Sequence, residues 1–100
     1  MSVLIQFSMF PTDKGESKSE YVARSLEIIR DSGLAYKLGP MGTTVEGQWD
    51  EVMGVVKKCF ETMKQSSNRI YTSMNVDYRA DKTGRITAKV ESIEKKLSGK

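Results

Sequence analysis

Val3, Ile5, Phe7 and Met9 alternate with Leu4, Gln6, Ser8 and Phe10. In an extended chain the two sets point to opposite faces. Both faces carry large apolar groups, which predicts a central strand over residues 2–10, ended by Pro11. Ser17 and Glu20 form a capping-box pattern, and Val22, Leu26 and Ile29 follow at helical spacing. With Gly33 as C-cap, this predicts a helix over 18–32. Residues 34–38 and 43–46 read as two strands joined by the turn Gly39-Pro40-Met41-Gly42, a hairpin. A second helix opens after Gly47, with Asp50 and Glu51 in its first turn, where the dipole favours acids. Its expected stripe is Trp49, Val52, Met53, Val56, Phe60 and Met63, with Cys59 beside it. Residues 69–78 alternate again. Ile70, Thr72, Met74, Val76 and Tyr78 share one face, and Tyr71, Ser73, Asn75 and Asp77 share the other. After a polar turn, Ile86, Val90, Ile93 and Leu97 predict a C-terminal helix.

This order of elements predicts an α+β chain with the ferredoxin-like βαββαβ arrangement, two helices on one face of an antiparallel sheet, and a C-terminal helix. All 100 residues are expected to form one domain, with 80–100 as a loop-and-helix extension. The first strand is then central, and its helix-facing side chains are Val3, Ile5, Phe7 and Met9, beside Val45, Ile70, Met74 and Val76. The open face collects Leu4, Gln6, Ser8 and Phe10 with Thr44, Glu46, Tyr71, Ser73, Asn75 and Asp77. Aromatic rings, hydroxyls, amides and carboxylates on one surface suit a small, flat, polar ligand. Glu46 or Asp77 could hold a positive charge on it. The same face would also serve as an oligomer interface without a ligand.

Composition narrows the chemistry. The chain has no histidine and one cysteine. Ser-His-Asp and Cys-His catalysis, the usual zinc sites and an internal disulfide are thereby removed. No acidic spacing suggests a metal site. The Gly39–Gly42 turn lacks the GK[ST] ending of a phosphate loop. Asp77, Arg79 and Asp81 read as a solvated turn, and Cys59 as packing. The net charge is +3, but residues 79–100 hold seven basic and three acidic residues, against nine and ten before them. The surplus belongs to the terminal segment and does not argue for nucleic acid. The strands also lack the aromatic pattern of an RNA-recognition domain. The loop after the first strand lacks the arginine of an acylphosphatase-type enzyme. No apolar run is long enough to span a bilayer, and no basic-then-apolar leader is visible, so the expected compartment is the cytoplasm. A domain this small buries only about two-thirds of its chain surface, so a ligand site is expected on a surface or between subunits.

Ser8-Met9-Phe10-Pro11, Ser17–Tyr21 with Val22-Ala23, Ser32-Gly33-Leu34, Gly39–Gly47 and Lys89–Ile93 together resemble the small thiamine-binding protein family. The resemblance runs over nearly the whole chain, and Met41–Gly47 is its most specific part. It implies dimers built by sheet-to-sheet packing, often as dimers of dimers, and binding of thiamine or its hydroxymethylpyrimidine part without catalysis. No other cofactor is expected. Ser8, Thr44 and Glu46 lie in the matching segments and on the open face, whereas Phe10, Tyr71, Ser73 and Asn75 rest on the alternation. These seven are the candidate ligand-binding residues. Two other readings stand beside this one. The first is a structural or regulatory homo-oligomerisation module without a ligand. The second is a small hydrolase or transferase that uses Glu46 or Asp77 as general base.

Overall fold

A computed structural model describes residues 2–13, 18–81 and 86. The elements are β1 (Ser2–Pro11), α1 (Lys18–Asp31), β2 (Ala35–Gly39), β3 (Gly42–Gly47), α2 (Trp49–Lys64) and β4 (Ile70–Arg79). The sheet order is β2-β3-β1-β4, with every neighbouring pair antiparallel. This is the ferredoxin-like α+β fold. The expected C-terminal helix, Ile86 apart, and the N-cap Ser17 lie outside the described residues.

β1 is central because its helix-facing side is wholly apolar. Val3, Ile5, Phe7 and Met9 are buried there with Val45 of β3, under Ile29 of α1 and Val52, Val56, Cys59 and Met63 of α2. The buried stripe of α2 differs from the expected one. Val55 joins it, Cys59 sits inside it, and Trp49 and Phe60 are exposed. Valines at 52, 55 and 56 and the small Cys59 let the helix approach the sheet closely, so the two large rings turn to the rim. In α1 the deeply buried positions are Ser25 and Ile29, while Val22 is exposed.

The edge strand β4 also departs from expectation. Its register with β1 (Phe7↔Met74, Ile5↔Val76) puts Met74 and Val76 on the helix side. They nonetheless remain 39% and 47% exposed. The described helices pack mainly over β1 and meet β4 only lightly, with Ile70 at its start packed against the core.

Local signals fix the ends of the elements. Gly33 takes a positive φ just past α1, a conformation that glycine adopts without steric strain. Gln48 is extended before α2, and its N–H donates to Glu51 Oε1 at 2.9 Å. At the far end of β1 the chain is clasped to the start of β4. Ser67 Oγ donates to Asp13 Oδ1 at 2.6 Å, Asn68 N–H donates to Asp13 Oδ2 at 2.8 Å, and Thr12 N–H donates to the Arg69 carbonyl at 2.9 Å.

Candidate functional site

β1 outruns one of its neighbours. Its ladder with β3 stops at Phe7↔Thr43, whereas its ladder with β4 continues to Pro11↔Ile70. The hairpin closes at Gly39↔Gly42, so Pro40 and Met41 form the turn. Beyond Phe7, one side of β1 therefore meets this turn and α1 instead of a strand. A cleft of about 180 Å³ opens there, between residues 8–10 of β1, the turn, and Val22, Ser25 and Leu26 of α1. None of its described lining residues is ionisable. Its polar residues are Ser8, Ser25 and Thr43.

The open face adjoins this cleft through Ser8 and Phe10. Register places Ser8 opposite Ser73 and Phe10 opposite Tyr71. The Phe10 and Tyr71 rings lie 5.7 Å apart at 41°, a tilted aromatic pair. Ser8 and Phe10 are half-buried, while Tyr71 is 58% exposed. One step along, Gln6 stands between Thr44 and Asn75.

Glu46 lies apart from this group. It pairs with Leu4, four residues from Ser8 along an extended strand. Its side chain is only 7% exposed, and its Oε1 accepts the Ile86 N–H at 3.4 Å. Leu4 is also buried, so this end of the face is covered. Of the seven candidates, Ser8, Phe10, Tyr71 and Ser73 come together. Thr44 and Asn75 flank them across Gln6, and Glu46 sits at the far end.

Sequence reasoning did not select Gln6, Ser25 or Thr43. Gln6 belonged to the right alternation. Ser25 and Thr43 become visible only once unequal strand lengths open the helix side of the sheet. Ser25 also has a structural role, since its carbonyl faces the Cys59 thiol at 3.9 Å. Burial pushes that thiol's pKa up. Among the described residues, no group of His, Cys, Asp and Glu is arranged to hold a metal ion.

The sequence profile of a family described as thiamine-binding protein matches residues 5–94. A UPF0045 protein of Mycobacterium bovis is 38% identical, over 97% of this chain and 96% of its own. The crystal structure of a hypothetical protein from Methanocaldococcus jannaschii superposes with a TM-score of 0.84 at 31% identity, covering 93% of this chain and 96% of that one. A Thermotoga maritima structure named as a "putative thiamine biosynthesis/salvage protein" superposes with a TM-score of 0.82 at 29% identity, covering 93% and 99%. The fold, the near-complete coverage and the profile match agree: this chain belongs to the thiamine-binding protein family.

Proposed function

We propose that the chain binds thiamine, or its hydroxymethylpyrimidine moiety, without converting it, and does so as a homo-oligomer. The observation that carries this reading is the neutral cleft at the end of β3, continuous with the hydroxyl-and-aromatic surface of Ser8, Ser73, Phe10 and Tyr71. A neutral cleft suits an uncharged pyrimidine better than a thiazolium, which would lose hydration there without a counter-charge. A lining without an acid or base supports binding over turnover.

The cleft is smaller than a complete small-molecule site usually is. One ring fits it, and the rest of the ligand would lie on the open face. A second copy packed on that face would supply the missing wall, and the exposed Tyr71 suits such a contact. Met74, Val76 and Tyr78 expose a second apolar surface on the other side of β4. Two separate surfaces are what a dimer of dimers requires.

Calorimetric titration of the full chain with thiamine and with hydroxymethylpyrimidine, alongside sedimentation, tests the proposal. Saturable binding of both ligands to an oligomer is expected, with no product formed. No heat at millimolar ligand with a folded oligomer would overturn it. The apolar exposure of β4 favours one second reading, a ligand-free oligomerisation module. That reading predicts an assembly whose thermal stability thiamine leaves unchanged.

A further inference from the structure

The main chain of β1 has a hydrogen-bonding edge that opens into the cleft. In an antiparallel sheet, alternate residues turn both their N–H and C=O to the same side. The Ser8 carbonyl accepts Thr72 Oγ1 at 2.9 Å, and the Thr12 N–H reaches the Arg69 carbonyl, so the even-numbered residues of this stretch turn toward β4. The Phe7 carbonyl turns the other way, 3.0 Å from where a Cβ on Gly42 would stand. Met9 therefore directs its N–H and C=O to the β3 side.

On that side the ladder has ended. Two residues beyond Phe7↔Thr43, the register would bring Met41 opposite Met9, but Met41 lies in the turn and is 86% exposed. No described strand residue pairs with Met9 there, and the cleft occupies the place of the missing rung. Met9's side chain is buried on the helix face, so the main chain of this residue is what addresses the cleft from the strand edge.

We propose that the Met9 N–H and C=O are the specificity-determining pair of this site. They would take a planar heterocycle with a ring nitrogen next to an exocyclic amine, as a further strand would be taken. The N–H donates to the ring nitrogen and the C=O accepts from the amine, which is the edge an aminopyrimidine presents. Val22 and Leu26 would cover the helix side of the ring, where the Thr43 hydroxyl remains for the hydroxymethyl group, while the Ser8 hydroxyl belongs to the open face. The inference rests on the proposed binding of thiamine or its pyrimidine, and it names the atoms that recognise it.

The test is NMR of the full chain labelled with [15N]methionine, with the Met9 amide identified by its loss in Met9→Leu. The probes are hydroxymethylpyrimidine and an analogue lacking the exocyclic amine. Hydroxymethylpyrimidine should shift the Met9 amide more than any other methionine amide and slow its hydrogen exchange by about tenfold. The analogue should bind about tenfold more weakly, the equivalent of one lost hydrogen bond. Saturable binding of hydroxymethylpyrimidine with the Met9 amide unmoved would overturn the inference and leave the proposed function standing. Failure of hydroxymethylpyrimidine and thiamine to bind at all would overturn both.

Discussion

Phe10 and Tyr71 face each other directly across β1 and β4, and their rings form a tilted pair 5.7 Å apart on the open face. Tyr71 is the exposed member, so it is available to a ligand ring or to a second subunit. Tyr71→Ala should weaken thiamine binding by about 1 kcal/mol, the usual worth of an aromatic contact beyond its area, and should affect hydroxymethylpyrimidine in the cleft less. It should change the urea midpoint of the isolated fold little, because the ring is mostly exposed. Calorimetry and urea titration on the same sample separate the two effects.

Glu46 should act on the charged part of the ligand only, and from a distance. Unit charges about 10 Å apart at an effective dielectric constant of about 20 interact with about 1–2 kcal/mol. Glu46→Gln keeps an oxygen that can accept the Ile86 N–H. It should weaken thiamine binding by roughly that amount and leave neutral hydroxymethylpyrimidine unaffected. Parallel titrations of the two ligands check this. Equal losses for both would show that the carboxylate touches the pyrimidine.

Two glycines should respond in opposite directions to alanine. A Cβ at Gly54, on the exposed face of α2, meets nothing within 4 Å, so Gly54→Ala should stabilise by about 1 kcal/mol through helix propensity. A Cβ at Gly42 would lie 3.0 Å from the Phe7 carbonyl, a backbone atom that cannot step aside alone. Gly42→Ala should destabilise by about 1–3 kcal/mol, the range for overpacking, and push the hairpin away from β1. Urea midpoints measure both.

The buried Cys59 thiol gives a stability change in the alkaline range. Burial raises its folded-state pKa, so the native state holds this proton more tightly than the unfolded chain. Its contribution is complete below the unfolded thiol pKa of about 8.5 and shrinks as pH rises through and beyond that value. Cys59→Ala should flatten the fall in stability between about pH 8 and 10, and it should lower stability at neutral pH through the cavity it leaves. In the native protein the thiol should react with disulfide reagents only through unfolding.

The alternation in residues 2–10 and 69–78 made the sheet legible. A period of two assigns every side chain to a face, and the register confirms those assignments pair by pair from Ser2↔Arg79 to Pro11↔Ile70. It could not show where each strand stops. The cleft depends on the β3 ladder ending near Gly42 while β1 continues to Pro11, a difference in length that no single strand's pattern contains. Helical spacing likewise admitted Trp49 and Phe60 to the stripe of α2. Val52, Val55, Val56 and Cys59 decided the rotation of the helix by allowing closer packing than the rings would. The burial of Glu46 has a similar origin. Its contact with Ile86 joins positions 40 residues apart, which local patterning does not reach.

The clasp of Asp13 with Ser67 and Asn68 bears on affinity as well as on stability. Past Phe7, β1 has a strand on one side only, and a half-supported strand would ordinarily fray. Anchored just beyond Pro11, the stretch from Ser8 to Phe10 is fixed at both ends before any ligand arrives. A ring entering the cleft then meets groups already in position, and its binding free energy is not diminished by the ordering of a loose segment.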